Sequence, residues 1–207
     1  MISAYNLSYT TDQKKILNSI NISIQKNKIT VISGKNGSGK STLLKILNRL
    51  IVPSKGSIKS QYEKPVPMLF QRSLSLNKSL EENFLLLNSI KKTKIDRTFY
   101  NLFNLRKLKA NKFASLSEGE KQKVFISRLM SFEQDILIMD EPNQNLDIES
   151  EEKFFEKLSD LSKSKTIIMT LHDMNYIKKL ADNLIILDNG KLISVSYTHL
   201  RAHETYK

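Results

Sequence analysis

A glycine-rich segment near the N-terminus carries the residue types that bind phosphate. Residues 34–42 read GKNGSGKST and fit the spacing G-x-x-x-x-G-K-[ST]. Glycines let successive backbone N–H groups point at one anion, and the N-terminus of a following helix adds partial positive charge. The lysine of this pattern reaches the β- and γ-phosphates of a nucleotide, and the hydroxyl after it ligates Mg²⁺. We therefore predict a nucleoside triphosphate site with Mg²⁺ at Gly34, Asn36, Gly37, Ser38, Gly39, Lys40, Ser41 and Thr42.

The segments on either side have the patterns that position such a loop. The β-branched run Ile29–Ile32 precedes it, and leucine and isoleucine recur at helical spacing from Leu43 to Leu50. A strand, a glycine-rich turn and a helix in this order form the phosphate-binding arrangement. A chance glycine-rich loop would not be flanked in this way.

An acidic pair and a histidine follow two apolar runs in the second half of the chain. The run Ile136–Met139 has the composition of a strand buried on both faces of a parallel sheet. At its end, Asp140 can hold Mg²⁺ through water, and Glu141 can orient or deprotonate an attacking water. His172 ends the second run, Thr166–Leu171. Either feature alone is commonly structural, so they indicate hydrolysis only beside the phosphate loop.

Two capped helix starts and the periodicity around them indicate an inserted helical region. Glu82 follows Ser79 by three residues and Glu120 follows Ser117 by three, which is the spacing of a capping box. Apolar residues recur at helical spacing from residue 79 to about 130. Strand patterns come before this region, and alternating strands and helices follow it. We therefore predict an α/β fold with a mostly parallel sheet.

Composition limits the class of protein. The 207 residues are 40% hydrophobic and 26% charged, which fits one globular domain with a core. No apolar run approaches the length of a membrane span, and the absence of cysteine excludes disulfides and cysteine-ligated zinc. The net charge is +12, but the lysines are scattered. A solvated basic surface is favoured, while a nucleic-acid or anionic membrane partner stays open.

Taken in order, these segments resemble the ATP-binding-cassette (ABC) family of ATPases from residue 2 to about 194. Residues 34–42 resemble the Walker A loop, and Ile136–Glu141 resembles Walker B with its catalytic glutamate. Leu116–Glu120 resembles the signature LSGGQ, and Asn145–Asp147 resembles the D-loop. Three further residues match family positions: Gln71 the Q-loop glutamine, His172 the switch histidine, and Tyr9 the aromatic that stacks on adenine.

The resemblance implies a fold, a mechanism and partners. The fold is the ABC type of P-loop NTPase, with an N-terminal antiparallel β subdomain. Two subunits would enclose two ATP molecules. One subunit would supply catalytic residues and Mg²⁺ ligands, and the other would supply the signature. The helical subdomain would face membrane-spanning permease subunits, placing the chain in the cytoplasm on the inner face of the cell membrane, without nucleic acid. The implied residues are catalytic Lys40, Gln71, Glu141 and His172, Mg²⁺ ligands Ser41, Gln71 and Asp140, and signature residues Ser117, Gly119 and Glu120.

The signature departs from the family pattern. It reads LSEGE, so Glu118 replaces a glycine and Glu120 replaces a glutamine. Two carboxylates near a phosphate site either point away from it or weaken ATP-dependent closure. The capping-box spacing predicts that Glu120 folds back onto the backbone N–H of Ser117.

The last residues do not continue the pattern of the chain. Residues 195–205 read VSYTHLRAHET, which resembles the translation of a transposon-derived sequencing adapter. We therefore expect a native domain over residues 1–194 and a non-native tail over 195–207.

Two functions fit the sequence. The first is the ATPase subunit of an ABC transporter, with an importer as the finer expectation. The second is an ABC-family translation or ribosome-associated factor, which binds RNA and normally carries two cassettes. The basic charge favours the second, and the inserted helical region favours the first.

Overall fold

The computed structural model describes residues 1–12, 14–86 and 95–196. The chain forms two compact units. The core unit contains Met1–Met68, Asp135–Asp140 and the described residues from Ser159 onward, and the helical unit contains Leu69–Gln134 and Glu141–Leu158. Across the residues that the structure describes, no helix is both long enough and apolar enough to cross a membrane.

The core unit contains a small antiparallel sheet. Its middle strand pairs with both neighbours in antiparallel register, in the order β2-β1-β4. The alternation of Ile20, Ile22 and Ile24 predicted a strand there, and all three side chains are buried. The strands are β1 (Ile2–Thr11), β2 (Lys14–Ile24) and β4 (Lys55–Ser60).

The larger sheet contains the strands after which the predicted catalytic and Mg²⁺-binding residues follow. Its order is β5-β6-β7-β3-β8-β9, and the pairs β6–β7, β7–β3 and β3–β8 are parallel. Every residue of β6 and β7 is buried, as expected for strands covered on both faces. The mostly parallel sheet is thus confirmed. Its strands are β3 (Ile29–Gly34), β5 (Met68–Leu69), β6 (Ile136–Met139), β7 (Thr166–Thr170), β8 (Asn183–Asp188) and β9 (Lys191–Ser196).

Two helices of the core unit follow strands of that sheet. Helix α1 (Lys40–Leu47) follows β3, and α6 (Met174–Leu180) follows β7. The apolar side of α1 is buried in one cluster with residues from both sheets, so packing against the sheets fixes its direction. The buried residues of α1 in this cluster are Leu43, Leu44, Ile46 and Leu47.

The helical unit has an aromatic core. Ring centroids lie 4.7 Å apart for Phe84 and Tyr100, and 5.4 Å apart for Phe113 and Phe125. The insertion expected over about 79–130 stays a prediction, and the compact helical unit contains Leu69–Gln134 and Glu141–Leu158. The helical pattern over residues 87–94 lies outside the described residues. The described helices are α2 (Leu80–Leu85), α3 (Thr98–Leu102), α4 (Glu118–Met130) and most of α5 (Ile148–Leu161), with 3₁₀ turns at Leu105–Leu108 and Phe113–Ser115.

Strand boundaries differ from the prediction at two places. The strand expected over Val66–Phe70 is only Met68–Leu69. The terminal hairpin, expected to end at Ile193, continues to Ser196. Val195 pairs with Ile185 and packs against the apolar cluster, which extends the strand. Residues 195 and 196 of the expected tail thus extend the hairpin, and residues 197–207 lie outside the described part of the chain.

Candidate functional site

The phosphate loop joins β3 to α1 through glycines in conformations that other residues avoid. The φ angles of Gly34, Gly37 and Gly39 are 148°, 78° and 103°. A Cβ atom on Gly34 would collide with the carbonyl oxygen of Leu187 and lie 2.9 Å from Ser38 Oγ. Around Gly37 nothing lies within 4 Å of the Cβ position. The loop therefore passes close to the sheet at one end and is open in the middle.

The polar groups of this loop fit a polyphosphate. Lys40 is only 6% exposed, and its Nζ donates to the carbonyl oxygens of Gly34 at 2.9 Å and Lys35 at 3.1 Å. Its ammonium group thus lies across the loop. The hydroxyl of Ser38 is buried and has no hydrogen-bond partner in the described residues. Phosphate oxygens would supply acceptors for these groups and for the backbone N–H groups that begin α1.

The buried carboxylate directly after β6 fits a Mg²⁺ site that has few protein ligands. Asp140 is 3% exposed, and the hydroxyl of Thr170 donates to its Oδ1 at 2.7 Å, which fixes its orientation. Ser41 belongs to the same unit. No group of three or more His, Asp or Glu side chains in the described residues could hold a metal. One carboxylate, a hydroxyl and phosphate oxygens are the donor set that Mg²⁺ uses beside a nucleotide.

Two other predicted residues of the core unit lie in different settings. His172 is exposed in the loop after β7, next to Asp173, whose side chain caps α6 by accepting from the N–H of Asn175 at 2.7 Å. Tyr9 is half-buried in β1 and packs against the apolar cluster. The proposed stacking of Tyr9 on adenine stays a prediction.

Two predicted catalytic residues of the helical unit are in direct contact. The side-chain amide of Gln71 donates to Glu141 Oε2 at 3.0 Å. The φ angle of Glu141 is 48°, in the left-handed region that residues other than glycine seldom occupy. Because Pro142 follows, the backbone at Glu141 is restricted further toward extended conformations. Glu141 thus has a strained backbone and a carboxylate held from one side.

The signature segment begins α4 with the predicted capping box. Ser117 N–H and Oγ donate to Glu120 Oε2 at 2.8 and 2.9 Å, and Ser117 Oγ accepts from the N–H of Glu120. The prediction that Glu120 folds back is confirmed. Glu118 points outward, 71% exposed, and pairs with Lys121 at 2.7 Å. The two departures from LSGGQ are therefore a cap and a surface ion pair within this chain.

Three contacts that sequence analysis missed join α4 to the segment after Glu141. A Cβ atom on Gly119 would lie 2.6 Å from the carbonyl oxygen of Asn145. Gln122 Nε2 donates to the carbonyl oxygen of Pro142 at 2.8 Å, in a buried position. Lys123 Nζ pairs with Asp147 Oδ2 at 2.5 Å. No local pattern marks these pairs, because they are separated by at least twenty residues along the chain.

Asp147 has the most constrained side chain among these contacts. It accepts from Lys123, and it also accepts from the N–H and hydroxyl of Ser150, both at 2.9 Å. The Lys123 ammonium group, followed by the backbone N–H of Ser150, holds the pKa of Asp147 well below its usual range. Asp147 therefore stays ionised and caps the start of α5 at any pH near neutrality.

The predicted site residues divide between the units. The core unit contains Tyr9, the phosphate loop, Asp140 and His172, and the helical unit contains Gln71, Ser117, Gly119, Glu120 and Glu141. Within the helical unit, a cavity of about 660 Å³ is lined by Gln71, Arg72, Glu118, Lys121, Gln122 and Phe125, among others.

Comparison with known sequences gives a consistent group of relatives. Residues 17–144 match the family described as ABC transporter. The zinc import ATP-binding protein ZnuC of Vibrio vulnificus (strain YJ016) is 31% identical over 211 residues, covering 100% of this chain and 80% of that protein. The methionine import ATP-binding protein MetN of Francisella tularensis subsp. holarctica (strain OSU18) is 32% identical, covering 96% of this chain and 64% of that protein. The leukotoxin export ATP-binding protein LtxB of Aggregatibacter actinomycetemcomitans is 29% identical, covering 89% of this chain and 29% of that protein.

Solved structures have the same fold. An ATP-binding subunit of an ABC transporter superposes with a TM-score of 0.83 at 21% identity, covering 95% of this chain and 89% of that one. A bacterial ABC transporter cassette determined as a dimer superposes with a TM-score of 0.82 at 22% identity, covering 95% and 98%. The predicted fold class is thereby confirmed.

Proposed function

The chain belongs to the ABC transporter family, and from this premise we propose how its residues bind and hydrolyse ATP and which partners it serves. It is an ATPase and the nucleotide-binding subunit of a transporter. The translation-factor alternative receives no support from these relatives, whose names describe import and export.

The assignment of the ATP-binding residues rests on the phosphate loop. Its lysine is buried against two carbonyl oxygens, and the hydroxyl of Ser38 has no partner in the described residues. The buried ammonium group and the unpartnered hydroxyl are hydrogen-bond donors. Donating to phosphate oxygens is therefore energetically favourable for both. Lys40 then offsets charge on the β- and γ-phosphates, and the N–H groups at the start of α1 bind the remaining oxygens.

Hydrolysis of ATP requires a general base, and we propose Glu141 for this role. Its carboxylate accepts from Gln71, so it has a fixed direction before any water is bound. As general base it takes a proton from the attacking water, while His172 binds the γ-phosphate. Ser41, Asp140 and Gln71 are the residues that would hold Mg²⁺, which would supply positive charge beside the β- and γ-phosphates. Ser117 and Gly119 would bind the γ-phosphate held by a second subunit, whereas Glu120 is engaged by its own cap.

The partners we propose are a second ATPase subunit and membrane-spanning permease subunits. The exposed Leu74 and Leu76, at 86% and 40%, lie beside the cavity of the helical unit and support a protein contact there. The chain would then lie in the cytoplasm against the inner face of the membrane. Import is the finer proposal because ZnuC and MetN are import proteins by name. The names of these relatives refer to three different substances, zinc, methionine and leukotoxin. They therefore do not identify the solute that the transporter of this chain moves.

The test is ATP hydrolysis by the purified chain with Mg²⁺, measured as phosphate release. Wild-type protein is expected to turn over, and release should stop without Mg²⁺ or with Lys40→Ala. Reconstitution in vesicles with the membrane-spanning permease subunits proposed as partners should accelerate it. Turnover that survives Lys40→Ala unchanged would contradict the assignment of the loop. Unchanged turnover with the permease would contradict the transport partner alone.

A further inference from the structure

The backbone of Glu141 is held in a conformation that its own sequence disfavours. The φ angle of this residue is 48°, in the left-handed region that residues other than glycine seldom occupy. A residue that precedes proline favours an extended backbone, so the observed conformation is disfavoured for a second reason. Strained residues persist where surrounding contacts over-determine them, and such sites are common where groups react. The contacts that maintain Glu141 therefore bear on its chemistry.

Hydrogen bonds from several elements hold this short segment. The N–H of Gln144 donates to the carbonyl oxygen of Glu141 at 3.2 Å, which closes a local turn. Gln71 holds the carboxylate at 3.0 Å. Gln122 reaches from α4 to the carbonyl oxygen of Pro142 at 2.8 Å, and this contact is buried. Gln122 is therefore the donor that ties the Glu141–Pro142 backbone to a regular helix.

Proline gives this contact its importance. Pro142 is buried and has no backbone N–H, so its carbonyl oxygen is the one backbone group through which neighbours can hydrogen-bond it. Gln122, at 9% exposure, has the length and position to reach that oxygen. The other links from α4 reach Asn145 and Asp147, further along the segment. They can hold the start of α5 without restraining the carbonyl group of Pro142.

We propose that Gln122 is a positioning residue for Glu141. By holding the carbonyl oxygen of Pro142, whose ring fixes its own φ angle, it restrains the backbone that follows Glu141 and thus the direction in which the carboxylate leaves the backbone. Gln71 hydrogen-bonds the carboxylate of Glu141. The carboxylate and the backbone beside it are therefore held by residues of two different segments. This inference rests on the proposed role of Glu141 as general base.

The test replaces Gln122 with methionine, which keeps the length and removes the donor. In the full chain, Gln122→Met should lower kcat by roughly 10- to 100-fold, because small misplacements of a reacting group cost that much. The KM for ATP and the affinity for a fluorescent ATP analogue should not change. Ser127→Ala is the matched control: it removes a buried hydroxyl on the same helix that donates to the carbonyl oxygen of Lys123. It should leave kcat at the wild-type value.

A double variant separates positioning from general support of the helix. If Gln122 acts through Glu141, then Gln122→Met should lower single-turnover hydrolysis no further once Glu141→Gln is present. If its role is structural, the two losses should multiply. Multiplying losses, or a kcat of Gln122→Met equal to wild type, would overturn the proposal.

Folding and the underlying assignment are checked separately. Thermal melting identifies a variant that does not fold, and Gln122→Leu then replaces it, since leucine is apolar, is close to glutamine in shape and cannot donate. A wild-type rate for that folded variant would also overturn the proposal. If Glu141→Gln hydrolyses ATP like wild type, the role of Glu141 fails and this inference with it. The ATPase assignment would still stand on Lys40→Ala.

Discussion

The core unit and the helical unit hold their functional groups by different means. In the core unit, Lys40, Asp140 and Thr170 are 6%, 3% and 0% exposed, and a sheet with fully buried strands surrounds them. In the helical unit, Gln71 and Ser117 are exposed and Glu141 is half-buried. Side-chain hydrogen bonds near the surface hold them, such as the one from Gln71 to Glu141.

The difference indicates a division of labour. Groups fixed by a buried sheet keep their geometry whether or not a ligand is bound, which suits the binding of a constant feature such as polyphosphate. Groups held by exposed side-chain contacts can be released at small cost, since such contacts contribute about 1 kcal/mol each. We expect substitutions in the core unit to change affinity and substitutions in the helical unit to change turnover.

The largest expected effect is on turnover. Glu141→Gln should lower ATP hydrolysis by roughly 10²- to 10⁴-fold, the usual contribution of a general base, while nucleotide affinity stays at the wild-type value. Phosphate release and fluorescent-nucleotide titration measure the two quantities on the same preparation. Turnover within a few-fold of wild type would break the proposed division.

The second prediction concerns affinity. Lys40→Ala should weaken ATP binding by about 10- to 100-fold, because it removes hydrogen bonds from a charged donor to phosphate. Lys45→Ala, a lysine one turn further along the same helix, is the control and should bind normally. Titration with a fluorescent nucleotide checks both. Equal affinities for the two variants would mean that the loop does not bind phosphate through Lys40.

The third prediction concerns the link between α4 and the segment after Glu141. Gly119→Ala should destabilise the protein by about 1–3 kcal/mol, because the added Cβ meets the carbonyl oxygen of Asn145 at 2.6 Å. Helix propensity alone favours alanine over glycine by about 1 kcal/mol, so greater stability would show that no close approach exists. Urea unfolding measures the change, and Glu118→Ala, exposed and adjacent, is the control.

A smaller effect is expected from pH. Burial opposes ionisation of Glu81, but hydrogen bonds from Arg97 and Tyr100 outweigh it and lower the pKa of Glu81 below its usual 4.5. Its contribution to stability is present above about pH 4.5 and is lost as the pH falls through the pKa of the folded state. Melting temperatures between pH 7 and pH 3 should therefore fall less in Glu81→Gln than in wild type.

The alkaline limb tests the same cluster. Burial and the neighbouring Glu81 raise the pKa of Tyr100 above its usual 10.0. That contribution to stability is present below pH 10 and is lost as the pH rises further. Tyr100→Phe should flatten this loss. Parallel pH profiles for variant and wild type would contradict the coupling.

The smallest effect is expected at the C-terminus. We propose that residues 195–207 are not native, and because only Val195 and Ser196 of this tail extend the hairpin, a chain ending at Ser196 should melt and bind ATP like the full chain. A chain ending at 194 should melt lower, because Val195 packs against the apolar cluster of the core unit. Amplification of the gene from source DNA across this junction is an independent check. Genomic DNA that encodes VSYTHLRAHET would contradict the adapter origin.

Local sequence determined much of this protein. The phosphate loop was predictable because glycine spacing and flanking periodicity act within a few residues. Both capping boxes were predictable for the same reason, since Ser79–Glu82 and Ser117–Glu120 each span one turn. The buried run Ile136–Met139 was predicted with its observed bounds, because a short, consecutive apolar run between polar residues fits a strand covered on both faces.

Tertiary structure alone decided how the base is held. The partners Gln71 and Glu141 are 70 residues apart, Lys123 and Asp147 are 24 apart, and Gln122 and Pro142 are 20 apart. Hydrogen bonds at such separations depend on where the fold brings two elements, and no local periodicity encodes that. The φ angle of Glu141 is a further case. Its sequence neighbours favour an extended backbone, and the contacts of the folded chain impose the opposite.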